Sequence, residues 1–152
     1  MSRSASGGSF VTEVAFHFNV PDKLAYACRL LRKAHAGGSR VGVLAPAETL
    51  RQLDAALWTF SALDFVPHCV ASAPARVLQA TPIVLAPDSA AVAHTEVLLN
   101  LDSAVPNGFE RFERLIELVG TSEDDRAEAR ARWRHYADRG YAIRRHDVAT
   151  KE

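Results

Sequence analysis

The sequence has little cysteine: two residues among 152, Cys28 and Cys69. Two thiols cannot staple a domain of this length, so the expected setting is a reducing cytoplasm. Long hydrophobic runs are also missing. None approaches the roughly 18 residues a membrane-spanning helix needs, so no membrane contact is expected. The N-terminal MSRSASGGS has no apolar segment of the kind a signal peptide carries, and residues 1–10 read as a flexible leader. Charge of one sign is not in excess either. Lys plus Arg number 18 and Asp plus Glu number 18, for a formal net charge of zero. That excludes a protein coating nucleic acid over its whole surface, which needs surplus Lys and Arg, but leaves room for one basic patch.

The motifs of several chemistries are absent as well. No Gly-x-Gly-x-x-Gly follows the first strand pattern, and no Gly-Lys-Ser/Thr phosphate loop occurs. Gly37-Gly38-Ser39 ends a helix and precedes a strand, the wrong end to cradle a phosphate. His68-Cys69 is the one adjacent pair of His and Cys, without the paired spacing that structural zinc requires. No Gly-x-Ser-x-Gly elbow is present. Neither cofactor nor metal is expected. Asp64 near His68 could form an acid/base pair, although an Asp capping a turn is the commoner arrangement.

What the chain has is an ordinary globular composition, 48% hydrophobic and 24% charged, and a length suited to one core. Residues 11–20 alternate, with Val14, Phe16 and Phe18 on one side and Ala15, His17 and Asn19 on the other, as a strand does. Pro21-Asp22 opens a helix striped by Leu24, Cys28, Leu30 and Leu31, which ends near Gly37-Gly38. Residues 40–45 read as a buried strand. Pro46 opens a second helix carrying Leu50, Leu53 and Leu57. Residues 66–75 read as irregular, and 82–86 and 96–101 as buried strands. Val105-Pro106-Asn107-Gly108 is a turn. Phe112, Leu115, Ile116 and Val119 predict a helix over 109–119. Thr121-Ser122 caps a last helix to about Gly140, and 141–147 reads as an edge strand. Alternating strands and helices predict a single α/β domain over 11–148, Rossmann-like, with a mostly parallel sheet and helices on both faces. Residues 149–152 form a tail.

Two stretches call for partners. DAALWTFSALDFVPH, residues 54–68, places Trp58, Phe60 and Phe65 in a connector that ends at Pro67 and His68. Connectors are normally polar, so these rings either cover the core or meet another protein. Phe60 is assigned to the core. The last helix groups acids at Glu123, Asp124 and Asp125 and bases beyond them. Dipole effects and i,i+4 pairs such as Glu128 with Arg132 account for much of that polarity. Arg126, Arg130, Trp133 and Arg134 nevertheless share one face. A ring framed by guanidinium groups suits an acidic peptide with an apolar end, and a plain solvated helix remains the alternative.

Taken together, Leu53-Asp54-x-x-Leu57-Trp58, Phe65-Val66-Pro67-His68, Leu99-Asn100-Leu101 before Phe109, and Arg130-x-x-Trp133-Arg134-x-Tyr136 with Gly140-Tyr141 resemble the chi subunit family of bacterial DNA polymerase III. The resemblance covers almost the whole chain from residue 11. It implies a subunit without catalytic activity. Its implied partners are the psi subunit of the clamp loader and the acidic, Phe-ended C-terminal tail of single-stranded-DNA-binding protein, with little direct nucleic-acid contact. It further implies that Trp58, Phe65 and Pro67 belong to the psi surface. Val119, Arg126, Arg130, Trp133 and Arg134 would belong to the tail site, with Trp133 standing where the family often has Tyr. Two rival readings are a small α/β enzyme using Asp64 and His68, and direct binding of single-stranded DNA on the Arg/Trp face.

Overall fold

The computed structural model describes residues 11–59 and 66–150. The leader 1–10, the connector segment holding Phe60, Asp64 and Phe65, and residues 151–152 lie outside the described residues, with the expectations placed on them.

Strand β1 spans Glu13–Phe18, and helix α1 spans Lys23–Ala36. Asp22 caps α1, its carboxylate accepting from the Ala25 N–H, so Pro21 sits just ahead of the cap. Strand β2 (Val41–Leu44) and helix α2 (Ala47–Thr59) follow, then β3 (His68–Val70) and α3 (Ala75–Ala80). Next come β4 (Ile83–Ala86), β5 (Val97–Asn100) and β6 (Arg114–Leu118). Helix α4 (Glu123–Asp138) and strand β7 (Ile143–Asp147) close the fold, before a 3-10 turn at Val148–Thr150.

The strands form one sheet in the order β3-β4-β2-β5-β6-β1-β7, with every neighbouring pair parallel. Parallel neighbours need crossovers, and the helices supply them on both faces. Cys28 and Leu31 of α1 and Leu53 and Leu57 of α2 pack on Val41, Val43, Ile83 and Leu99. On the other face Ala129 and Tyr136 of α4 join Phe109 and Phe112 over Val14, Phe16, Leu98 and Leu115. The parallel α/β layout and the β7 edge agree with the sequence reading.

Some expectations fail. Residues 109–119 are not a helix: a 3-10 turn at Phe109–Arg111 leads into β6. A strand covered on both faces is apolar almost throughout, and such a run also satisfies helical spacing. Leu115 and Ile116 are both buried, on opposite faces of the sheet. Gly108, at φ 75°, makes the left-handed turn before the 3-10 segment. Residues 66–75 are not wholly irregular, since three of them form β3 and Pro74 precedes the short α3. A three-residue edge strand is too short to carry a period. Finally, Arg132 is not a surface partner of Glu128. It turns into the core and reaches Glu117.

Candidate functional site

Helix α4 brings most of the expected residues together. Ser122 caps it by accepting from the Asp125 N–H, and three acids in the first turn oppose the helix dipole. The strand-to-helix turn through Val119 and Gly120 sets the helix against the carboxyl ends of β1 and β6. In open α/β sheets that end is the usual place for a binding crevice. Gly120 donates its N–H to Asp125, and a Cβ there would stand 3.0 Å from that carboxylate, so a bare backbone is favoured.

A cavity of about 430 Å³ opens beside α4. Val119, Arg126, Arg130 and Trp133 line it. Its floor is aromatic: Phe16 and Trp133 meet with ring centroids 5.1 Å apart. Phe16 is buried and Trp133, half-buried, also lines the cavity. Arg126 Nη2 donates to Asn19 Oδ1 at 3.0 Å, and Arg130 Nη2 to Glu123 Oε2 at 3.0 Å. Asn19 itself takes φ 62°, a left-handed conformation that Asn tolerates better than most residues. Arg145 of β7 adds a further cation and lies over the Phe18 ring at 5.4 Å. The chemistry is that of a cationic rim around an aromatic pocket, able to hold carboxylates and one large apolar side chain.

Arg134 does not line this cavity. At 100° per residue it projects roughly 90° from the centre of the stripe formed by residues 126, 129, 130 and 133. Phe16, Phe18 and Arg145 were not singled out from the sequence. The alternation in β1 already put Phe16 and Phe18 on one face, but nothing local showed that α4 packs beside them.

Behind α4 lies a buried polar cluster. Glu117 accepts from Arg132 Nε at 2.9 Å, from the Tyr136 hydroxyl at 2.5 Å and from Asn100 Nδ2 at 3.0 Å. Burial pushes the Glu117 carboxyl above the usual carboxylate range, against the pull of Arg132 and the hydrogen bonds. Every contact donates to it, which is the geometry of the ionised form. Burial likewise raises the Tyr136 hydroxyl, reinforced by the neighbouring carboxylate.

The second expected surface is at the end of α2, whose last turn carries Trp58, so this ring stands on the helix and not in the connector where the sequence pattern puts it. Trp58 is 59% exposed, and Pro67 is half-buried. Phe65 lies outside the described residues. The Trp58 ring stands edge-on to His68, centroids 5.2 Å apart. His68 Nε2 lies 2.9 Å from Asp54 Oδ1 and Nδ1 lies 2.7 Å from the Val66 carbonyl. Both neighbours are hydrogen-bond acceptors, one on each side of the ring. The Asp54–His68 pair, which sequence reasoning missed, ties the connector's end to α2. Among the described residues no group of three or more His, Cys, Asp or Glu side chains is placed to hold a metal ion, and no helix is long and apolar enough to cross a membrane.

Comparison with known proteins bears on the fold and the family. The C-terminal domain of S. cerevisiae Dbp5 superposes with a TM-score of 0.60, covering 91% of this chain and 90% of that one. At 10% identity the likeness concerns the fold alone. The chain is 33% identical over 125 residues to the DNA polymerase III subunit chi of Pseudomonas aeruginosa, covering 82% of this chain and 85% of that protein. The family model of the DNA polymerase III chi subunit, HolC, matches residues 11–144. The chain belongs to the DNA polymerase III chi subunit family.

Proposed function

We propose that this chi-family subunit is a non-catalytic adaptor with two separate protein-binding faces. Trp58, Pro67 and Phe65 meet the psi subunit of the clamp loader. Val119, Arg126, Arg130 and Trp133 take the acidic, Phe-ended tail of single-stranded-DNA-binding protein. The protein thereby tethers the polymerase assembly to coated single-stranded DNA in the cytoplasm while touching little nucleic acid itself.

The observation that carries the reading is the convergence of Val119, Arg126, Arg130 and Trp133 on one cavity floored by Phe16. An aromatic pocket rimmed by arginine matches a peptide that ends in a large ring and carries acids. The exposed Trp58 supports the second face, since exposed indoles anchor protein interfaces.

The test is a titration of the tail peptide into the full chain at two salt concentrations. Binding that weakens with salt and disappears in Trp133→Ala is the expected result. Equal binding by bare oligonucleotide at physiological salt would instead identify α4 as a DNA surface. Trp58→Ala is expected to lose psi in co-purification and to keep the tail peptide. Undiminished psi recovery would move that interface elsewhere.

A further inference from the structure

The odd residue of β1 points to a second site. Phe16 and Phe18 reach the α4 cavity, whereas His17, between them, lines another cavity on the opposite face of the sheet. That cavity, of about 300 Å³, runs between the C-terminal half of α1 and strands β1, β5 and β6. Leu30, Val97 and Ile116 are among its aliphatic walls. Its polar lining consists of donors: Lys33 from α1, Ser39 beyond it, Arg114 from β6 and His17.

These donors are unspent. Among the described residues neither Lys33 nor Arg114 has an ion-pair partner, and Glu13, in register with Arg114, makes no ion pair with it. His17 Nδ1 lies 2.6 Å from the Tyr26 hydroxyl. Burial keeps Tyr26 in its phenol form. It also holds His17 down at about 4, with His146, Arg114 and Lys33 adding to the effect. The phenol can donate to or accept from Nδ1, so that nitrogen is paired in either tautomer, while Nε2 has no hydrogen-bond partner among the described residues. Nearby His146, with its ring centroid 4.8 Å from that of His17, is the remaining titratable neighbour. Two unpaired cations and the open Nε2 of His17 therefore surround an apolar hollow in a chain with no net charge.

We propose that this cavity is a second peptide-binding site. It takes an acidic segment of a partner protein, with an aliphatic or aromatic side chain between Leu30, Val97 and Ile116. The peptide's carboxylates lie on Lys33 and Arg114, and one of its backbone groups hydrogen-bonds to His17 Nε2. The donors come from three elements of the fold, more than one carboxylate head uses, and that spread favours a peptide over a small apolar acid. The site is independent of the α4 cavity, which lies across the sheet.

The test uses the full chain carrying Arg130→Ala and Trp133→Ala, which silences α4, and follows backbone amides and histidine rings by NMR. The probe is a short peptide alternating Asp and Leu, with octanoate as the comparison. The peptide is expected to give saturable shifts at Ser39, Arg114 and Ile116, and to raise the His17 midpoint from about 4 as carboxylates approach. Lys33→Gln and Arg114→Gln, both at exposed positions, are each expected to weaken it roughly tenfold. Shifts that spare these residues, or binding unchanged in both variants, overturn the proposal. Octanoate binding as well as the peptide overturns the peptide assignment.

Discussion

Helix α4 uses arginine in opposite ways on its two sides. Arg132 faces inward with its side chain 3% exposed, against a Glu117 side chain that is wholly buried. Arg130, half a turn away, is 58% exposed and rests on a Glu123 that is more exposed still. The inner pair is enclosed by Tyr136 and Asn100, and Arg132 also donates through Nη1 to the Ser103 carbonyl at 2.9 Å. It links β5, β6 and α4, and so fixes the rotation of the helix about its axis. The outer arginines are then presented at a defined angle over Phe16. The contrast separates a buried ion pair, costly to break, from exposed pairs that a ligand can displace.

The strongest way to break this comparison is from the inside. Glu117→Leu strands the Arg132 guanidinium in the core and should cost about 3–5 kcal/mol in denaturant unfolding. Adding Arg132→Met removes the stranded charge, and the double variant should recover most of that loss. A double variant as unstable as the single one would mean that the cluster holds α4 through Tyr136 and Asn100 rather than through the ion pair.

The outer side should behave in the opposite manner. Arg130→Ala is expected to leave unfolding within about 0.5 kcal/mol of the parent, as surface substitutions usually do. The same change should weaken the tail peptide by about 1–3 kcal/mol, the range for a charge-assisted hydrogen bond. Trp133 belongs to both sides, since its ring packs on Phe16 and it also lines the cavity. Trp133→Ala should therefore lower stability and binding together. A Trp133→Ala protein that binds normally would take the tail away from this cavity.

The sequence disclosed the outer side better than the inner one. Arg126, Arg130 and Trp133 share a face by helical spacing, a property local to 126–133. Arg132 looked equally like a surface residue, because Glu128 stands one turn before it. What decides otherwise is Glu117, which lies on β6, a strand whose apolar spacing also fits a helix. A buried carboxylate in a run of leucines leaves no periodic signature, and its partner is fixed only when the sheet assembles. The same holds for β1, whose alternation was plain while its two neighbours were not. The Asp54–His68 pair likewise joins positions fourteen residues apart that only the return of the chain to the sheet brings within hydrogen-bond distance. Arg134 shows the converse: it fits an i+8 spacing yet projects to the side of the stripe and does not line the cavity.

The smallest effect concerns Glu123, and it tests whether the outer pairs are really displaceable. Its carboxylate lies on Arg130, so under the proposed reading it would compete with a carboxylate of the tail and also repel it. An exposed pair of this kind contributes only about 0.2–1 kcal/mol. Glu123→Gln should accordingly tighten the tail peptide by about two- to fivefold at low salt, and the gain should shrink as salt screens the charges. The same substitution removes a favourable charge from the first turn of α4 and should lower stability by a few tenths of a kcal/mol. Opposite signs in binding and stability are the informative outcome. If Glu123→Gln weakens the peptide instead, then the carboxylate orients Arg130 for the ligand rather than competing with it. The outer side of α4 would then be preorganised like the inner one.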